Sequence, residues 1–240
     1  RVSQLLLDLG LKKDDKVAII STNRPEWNLV DIASQQIGLV NVPMYPTISE
    51  KDYEFIFNDA GVQYAFVGDK DILNRVKPLM GKVPTLKGIY VFDKVGGTPN
   101  LFDSLPALSA VNTSVIQKRR DEVTEEDLAT IIYTSGTTGN PKGVMLTHKN
   151  IVSNIKSVEQ VTPFAEEEKA LSFLPLCHSY ERMLTYMYMH TGVSIYYAES
   201  MDKIADNMKE LQPHVFSTVP RLLEKVYDKI VAKGKELTGV

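Results

Sequence analysis

The sequence predicts an α/β fold in which doubly wound parallel sheets are flanked by helices. Short runs rich in β-branched and aromatic residues alternate with longer segments in which apolar residues recur at helical spacing. Strands that are apolar along nearly their whole length are typical of parallel sheets, because crossover helices bury both faces. The chain has 240 residues and is 43% hydrophobic, which is enough for a sizeable core.

Four strands and the helices between them are predicted in the first half of the chain. The predicted strands are residues 17–21, 38–45, 64–69 and 88–93. The first helix begins near Pro25, since proline suits a first helical turn. In the next helix, Ser49 and Asp52 have capping-box spacing and Gly61 marks the end. A third helix is expected near residues 71–80.

A stretch rich in Gly, Pro and Ser, residues 95–114, breaks this alternation. Such a stretch favours a connection between subdomains. We therefore expect a first α/β subdomain over residues 1–110 and a second over residues 111–240, the second carrying the motifs described below.

The second half has an alternation of its own. Extended segments are predicted at residues 128–133, 143–148, 170–176, 192–199 and 214–219. Helical spacing follows most of them, and Pro220 begins the last helix. In that helix the apolar residues are expected to face inward, namely Leu222, Leu223, Val226 and Ile230.

Composition excludes several classes of protein. The 27 basic and 30 acidic side chains give a net charge of -3, and the longest basic run, Lys118 to Arg120, is followed at once by two acids, so no nucleic-acid partner is expected. The single cysteine, Cys177, excludes an internal disulfide and favours a reducing, cytoplasmic compartment. No apolar run approaches the ~18–20 residues that span a bilayer. Peripheral membrane contact and a homodimer stay open.

The loop YTSGTTGNPKG, residues 133–143, is the clearest functional signal. Gly136 and Lys142 have the spacing of a Walker A loop, but Pro141 and Gly143 stand where that motif needs glycine and Ser/Thr. The loop also runs from one extended segment to another, so a helix N-terminus is not expected to form the anion site. Glycines that allow a concave backbone, hydroxyl donors and one lysine nevertheless suit a polyphosphate.

The wider stretch YTSGTTGNPKGVMLTHKN closely resembles the phosphate-loop signature of the adenylate-forming superfamily, which includes acyl-CoA synthetases, luciferases and the adenylation domains of peptide synthetases. Three further runs are similar to the branch that activates long-chain fatty acids: NRPEW (23–27), FLPLCHSYERM (173–183) and STVPRLLEKVYDKI (217–230). The resemblance covers essentially the whole chain. It implies the fold of an acyl-CoA synthetase N-terminal domain, here incomplete.

The resemblance implies a two-step ligase reaction with ATP, Mg²⁺ and coenzyme A. A fatty-acid carboxylate attacks the α-phosphate of ATP, pyrophosphate leaves, and coenzyme A then displaces AMP. By position in the motif, the phosphates would be held by Thr134, Ser135, Gly136, Thr137, Thr138, Gly139 and Lys142. Thr134 would also supply a hydroxyl ligand to Mg²⁺. Lys142 would either meet charge during adenylation or close the loop afterwards, and the sequence leaves both open.

His178 is the second candidate for the chemistry. It follows a predicted strand and precedes a helix, at the edge where open α/β sheets place ligands. In the resembling enzymes this histidine lies beside the acyl carboxylate and the α-phosphate. A buried histidine bonded to backbone is the alternative. Cys177 is adjacent, but neighbouring residues of an extended segment point apart, which argues against a Cys–His dyad.

Other polar and aromatic residues near His178 are expected to be structural. Glu181 and Arg182 suit a helix cap or a local ion pair. His148 is expected to anchor the phosphate loop. A cluster of Met and Tyr on the next helix suits either a core or an acyl tunnel, namely Met183, Tyr186, Met187, Tyr188 and Met189.

Several motifs of the resembling enzymes do not occur in this sequence: the adenine-binding segment with its acidic metal ligand, the ribose-binding aspartate and the C-terminal lid domain. We therefore expect an N-terminal fragment of a fatty-acid CoA ligase that is inactive alone. Two alternatives stay open: a ligase for an aryl or amino acid, and a non-catalytic nucleotide- or acyl-binding module. The segment LPLCHSYER has no aspartate to bind a substrate ammonium, which argues against an amino acid.

Overall fold

The computed structural model describes residues 1–134, 139–162 and 164–237. Its strands are β1 (Lys16–Ile20), β2 (Val40–Met44), β3 (Val62–Val67), β4 (Gly88–Val91), β5 (Leu128–Thr134), β6 (Lys142–Thr147), β7 (Lys169–Ser172), β8 (Ser194–Tyr197) and β9 (Val215–Phe216). Its α-helices are α1 (Val2–Asp8), α2 (Pro25–Gln36), α3 (Glu50–Ala60), α4 (Lys70–Val76), α5 (Thr113–Asp121), α6 (His148–Glu159), α7 (Ser179–Thr191), α8 (Ile204–Leu211) and α9 (Pro220–Leu237). The alternation predicted from the sequence is confirmed.

The first sheet has the strand order β4-β3-β1-β2-β5-β6. Strands β1 to β5 pair in parallel, and β6 pairs with β5 in the antiparallel direction. Alternate residues of β1 enter different hydrophobic clusters, Val17 and Ile19 packing with α1 and α2, and Ala18 and Ile20 with α3 and α4. Helices therefore cover both faces, which confirms the doubly wound arrangement.

The ends of α3 show how local sequence sets an element. The hydroxyl of Ser49 accepts the amide of Asp52 at 3.1 Å, which satisfies a free donor of the first turn. Gly61 ends the helix at φ +69°, a left-handed conformation that glycine adopts without steric cost. Both signals had been predicted from the sequence.

The second sheet has the parallel order β8-β7-β9. Strands β5 and β6 follow the expected subdomain boundary at residues 110–111 along the chain, yet both belong to the first sheet. The division between the two sheets falls between β6 and β7. The subdomain limits themselves stay a prediction.

The inward orientation expected for the apolar face of α9 is wrong for three of its four residues. Leu223, Val226 and Ile230 are 57%, 47% and 65% exposed, whereas Leu222 packs on a small cluster with Leu171. Helical periodicity shows which residues share a face, but burial also needs other residues packed against that face. Among the described residues of α9, Leu222 has such a contact, with the cluster that contains Leu171.

Candidate functional site

The phosphate-binding candidate is a hairpin loop. It leaves β5 at Thr134 and returns through β6 at Lys142, and these two residues are register partners. The expected strand-to-strand connection is therefore confirmed. Residues 135–138, which include the candidates Ser135, Gly136, Thr137 and Thr138, lie outside the described residues.

The described end of this loop explains its departure from a Walker A motif. Gly139 has φ +96°, where a side chain would be strained. A Cβ at Gly143 would lie 2.7 Å from a methyl carbon of Ile131, so the position that carries Ser/Thr in a Walker A loop must be glycine here. Lys142 and Thr134 are both exposed.

His178 is exposed at the start of α7 and is not the buried histidine of the alternative interpretation. Its Nδ1 accepts the backbone amide of Tyr180 at 3.3 Å. Because Nδ1 acts as an acceptor, the neutral ring carries its proton on Nε2. The residue therefore caps the helix with one nitrogen and can donate a hydrogen bond with the other.

A pocket of about 520 Å³ brings the two candidate regions together. Thr134, Gly139 and Pro141 of the hairpin line it, as do His178 and Ser179. The remaining lining is largely apolar and comes mainly from β2, α3 and β5, and includes Met44, Tyr45, Ile48, Ile56 and Ile132. Lys142 lies one residue beyond Pro141 on β6.

Cys177 lines the same pocket but is not suited to act as a nucleophile. It is buried, and burial raises the pKa of its thiol to about 12. The thiol therefore stays protonated near neutral pH. This agrees with the expectation that Cys177 and His178 do not form a dyad.

A second cavity of about 440 Å³ lies between β6, α6 and α7. It shares Thr134 and Ser179 with the first pocket, and most of the rest of its lining is apolar, namely Ile132, Val144, Leu146, Ile151 and Met183. Of the Met and Tyr cluster on α7, Met183 lines this cavity. Met187 and Tyr188 are fully buried against the second sheet, so the core interpretation is correct for them.

The local role expected for Arg182 is wrong. Its guanidinium is 2% exposed and forms an ion pair with Asp31 of α2, which is 1% exposed. It also donates to the hydroxyls of Tyr186 and Thr130, each at 2.7 Å, and lies over the ring of Trp27. The interaction is long-range and joins α7 to α2 and β5, the strand that leads to the phosphate loop.

The local role expected for Glu181 is wrong as well. Its carboxyl is 2% exposed and accepts a hydrogen bond of 2.5 Å from the Ser172 hydroxyl at the end of β7. Burial raises the pKa of Glu181 to about 7, and the bond from Ser172 opposes that shift. Burial thus keeps this carboxyl largely protonated below neutral pH.

A signal for the buried pair was present in the sequence. On α2, Trp27, Val30 and Ser34 share the buried face with Asp31. On α7, Arg182 lies one turn before Tyr186 on the buried face. A charged residue on the apolar face of each of two helices indicates a buried ion pair, because an isolated buried charge is too costly.

His148 begins α6, and its backbone amide donates to the carbonyl of Asp127 at 3.0 Å. Burial lowers the pKa of its imidazole. Its role in anchoring the phosphate loop stays a prediction. Across the described parts of the chain, no group of three or more His, Cys, Asp or Glu side chains is arranged to hold a metal ion. In the same parts, no helix is both long and apolar enough to cross a membrane.

This fold and this pocket define an α/β domain with a doubly wound sheet and a pocket beside the carboxyl ends of β2 and β5. The profile of the AMP-binding enzyme family matches residues 1–239. The chain therefore belongs to the AMP-binding enzyme family.

Curated relatives agree with this assignment. The peroxisomal long chain acyl-CoA synthetase 7 of Arabidopsis thaliana is 35% identical over 241 residues, covering 96% of this chain and 34% of the relative. The long-chain-fatty-acid–CoA ligase FadD15 of Mycobacterium tuberculosis is 34% identical over 226 residues, covering 93% of this chain and 37% of the relative. The chain thus spans about a third of the length of these relatives.

A solved structure supports the fold independently. ATP-bound MatB of Rhodopseudomonas palustris superposes with a TM-score of 0.76 at 24% identity, covering 93% of this chain and 43% of MatB. At this identity the similarity establishes the fold and not the substrate.

Proposed function

We propose that this chain forms the phosphate-binding and acyl-activating part of an ATP-dependent long-chain fatty-acid CoA ligase. The observation that carries the proposal is the shared pocket of about 520 Å³, which is lined by Thr134 and Pro141 of the hairpin and by His178. A polyphosphate on the hairpin and a carboxylate beside His178 would meet there. The long-chain acyl-CoA synthetases among the curated relatives support the substrate class.

The residues have distinct parts in the proposed reaction. The hairpin from Thr134 to Lys142 holds the β- and γ-phosphates, and Lys142 meets the charge that develops on the leaving pyrophosphate. His178 donates from Nε2 to an oxygen at the reacting centre while the acyl carboxylate attacks the α-phosphorus. A donor fixed in place before the reaction stabilises developing charge without reorganisation. Coenzyme A completes the cycle when its thiol displaces AMP.

ATP and Mg²⁺ fit the donors that the described residues offer. Thr134 presents an exposed hydroxyl at the pocket, and a bound Mg²⁺ usually takes one or two protein oxygens and completes its shell with phosphates and water. Thr134 is the residue of this chain that would contact it. The ion would neutralise phosphate charge during adenylation.

The second cavity supports a hydrocarbon substrate. It adjoins the first at Thr134 and Ser179, and it is walled by Val144, Ile151 and Met183. An acyl chain there would bury apolar surface with its carboxylate directed toward His178. At about 25 cal/mol per Å², each added methylene would favour binding by about 0.8 kcal/mol. A charged amino-acid side chain has no facing counter-charge in this lining.

Substitution of His178 tests the proposal in a longer polypeptide that carries this chain and forms acyl-adenylate. His178→Ala removes the Nε2 donor, so pyrophosphate release with ATP and palmitate should slow by about 100-fold or more. The matched control is His190→Ala, because His190 is 58% exposed near the end of the same helix. Its rate should stay within about twofold of the wild type.

A substrate panel tests the acyl class. Octanoate and palmitate should be turned over in preference to acetate, coumarate and amino acids. Preference for an amino acid or a hydroxycinnamate would contradict the proposed substrate. Normal adenylation by His178→Ala, together with early thermal unfolding, would show that the histidine only caps its helix.

A further inference from the structure

The position of His178 depends on a segment with little regular structure. Strand β7 ends at Ser172 and α7 begins at Ser179, so His178 is carried by the intervening loop. Within that loop, the His178 amide donates to the carbonyl of Pro175 at 2.9 Å. A functional side chain on a loop is placed only as accurately as the loop backbone is fixed. Contacts to this backbone therefore bear directly on the proposed chemistry.

Asn23, about 150 residues earlier in the chain, holds this loop from the other sheet. Its side-chain amide donates to the carbonyl of Leu174 at 2.6 Å and to the hydroxyl of Ser172 at 3.0 Å. Its side-chain carbonyl accepts the backbone amide of Leu176 at 3.1 Å. The Asn23 side chain thus bonds to both a backbone carbonyl and a backbone amide of the loop. The second of these, the amide of Leu176, is two residues before His178.

Asn23 is itself held firmly. It lies between β1 and α2, and the next residues are Arg24 and Pro25, the latter being the first residue of α2. Arg24 pairs with Glu26 and with Asp93, each at 2.9 Å. The backbone around Asn23 is therefore restrained on its C-terminal side by a proline and by the ion pairs of Arg24 with Glu26 of α2 and with Asp93, two residues after β4.

The same contacts reach the first turn of α7. The Ser172 hydroxyl accepts from Asn23 and donates to Glu181, and Ser172 itself is fully buried. The loop is thereby fixed at both ends, at the end of β7 and in the helix that His178 caps. No lining of the 520 Å³ pocket comes from Asn23, so it would act on the reaction through His178 and not by touching substrate.

We infer that Asn23 is a positioning residue for His178: its three hydrogen bonds set the loop that aims the imidazole at the reacting centre. The inference rests on the function proposed above, because it assigns Asn23 a part in the adenylation step. The inference also distinguishes Asn23 from a residue that only joins the two sheets. If the inference is correct, removing the Asn23 side chain affects the reaction only through His178.

A double-mutant cycle in the longer polypeptide tests this dependence. Asn23→Ala should lower kcat for acyl-adenylate formation by about 10- to 100-fold, the scale of a small displacement of a reacting group, with KM for ATP changed less than about threefold. In a His178→Ala background the same substitution should change kcat by less than about threefold. An equal loss in both backgrounds would overturn the inference, because a structural role does not depend on His178.

Two further variants control for folding. Asn23→Asp keeps the shape and the acceptor for Leu176 but cannot donate to Leu174, so it should reproduce the loss of kcat even if Asn23→Ala unfolds. Wild-type kcat in Asn23→Asp would overturn the inference. Asn74→Ala removes an exposed asparagine from α4 and should leave kcat within about twofold.

Nitrogen-15 NMR of the histidine rings in the 240-residue chain gives a readout independent of catalysis. The wild type should show His178 with its proton on Nε2, and Asn23→Ala should shift its ring resonances toward the mixture of tautomers seen in a free imidazole. Unchanged His178 resonances in Asn23→Ala would overturn the inference. If the longer polypeptide did not adenylate a fatty acid at all, the proposed function would fail, and this NMR comparison would still decide whether Asn23 orients the ring.

Discussion

The two sheets differ in how they are held. In the first, helices cover both faces of β1, and residues 17 to 20 are 0% exposed. Around the second, α6 buries no residue fully, and Val226 and Ile230 of α9 are 47% and 65% exposed. Polar contacts join the second sheet to the first, namely the Arg182 pair with Asp31 and the contacts of Asn23, beside the apolar packing of Leu176.

The pocket therefore lies between a part of the molecule that is stabilised by hydrophobic burial and a part that is attached by polar contacts. Its floor comes from the hydrophobic first sheet, and His178 lies on the loop that caps α7, a helix attached through hydrogen bonds and a buried ion pair. Hydrophobic burial is non-directional, whereas a buried charge pair requires good geometry. The polar contacts therefore fix where the two halves of the site meet.

The largest effect on stability is expected where the sheets are joined. Arg182→Met leaves Asp31 buried without its cation, so the free energy of unfolding should fall by about 3–5 kcal/mol. Urea denaturation of the 240-residue chain measures this. Arg221→Met is the control, because Arg221 is 90% exposed, and it should change stability by less than about 0.5 kcal/mol.

A second substitution shows whether charge is the cause. In the double variant Asp31→Leu with Arg182→Met, no buried charge is left unpaired, so part of the lost stability should return. If the double variant is no more stable than Arg182→Met, packing and not the ion pair joins the sheets.

A pair of isoleucines tests the contrast between the two cores directly. Ile20→Ala opens a cavity in the first sheet, where the side chain is 0% exposed, and should cost about 2–5 kcal/mol. Ile230→Ala makes the same chemical change on α9 at 65% exposure and should cost less than about 0.5 kcal/mol. Similar losses for the two variants, measured by urea denaturation, would contradict the contrast.

A smaller, pH-dependent effect is expected at Glu181. Its pKa is raised from 4.5 to about 7 in the folded protein, so between these values the folded chain keeps a proton that the unfolded chain releases. Stability should therefore fall as pH rises from about 4.5 through about 7, by up to about 3 kcal/mol. Glu181→Gln cannot ionise and should lose this part of the pH dependence.

Unfolding measurements at pH 5 and pH 8 check the sign. Glu181→Gln should become more stable relative to the wild type at pH 8. Two tyrosines interact electrostatically with Glu181, namely Tyr188 and Tyr197. Burial is the main cause of their raised pKa values, so they stay neutral over this range. Glu167→Gln, at an exposed position, is the control. A stability difference that does not change with pH would contradict the assignment to Glu181.

Much of the fold followed from local patterns in the sequence. Ser49, Gly61 and Pro25 act on their own helices, so their signals could be interpreted without knowing the fold. The exposure of Leu223 and Ile230 could not be predicted, because it depends on what lies against α9. The prediction of 170–176 as a strand was too long: β7 ends at Ser172, and the rest forms the loop that Asn23 holds.

The site was predicted in part. The strand-to-strand connection at Thr134 and the position of His178 between a strand and a helix followed from the sequence pattern, and both residues line one pocket. The supporting residues did not follow, because Asn23 and Asp31 act across about 150 residues of chain. A partner so distant in the chain cannot be identified from the residues next to a polar side chain. The one local signal was that Asp31 lies on the apolar face of α2.

The strand order also determines how the sheet is exposed during synthesis. Strands β1 to β4 are consecutive in the chain and pair with one another. The outer edge of β2 pairs with β5, which is synthesised later. Roughly 80 residues separate Met44 from Leu128. At typical translation rates the ribosome needs roughly 4–16 s to add them. During that time β2 is an open edge, which favours pairing with another nascent chain. Pro43 removes one N–H donor from this edge and so hinders such pairing until β5 arrives.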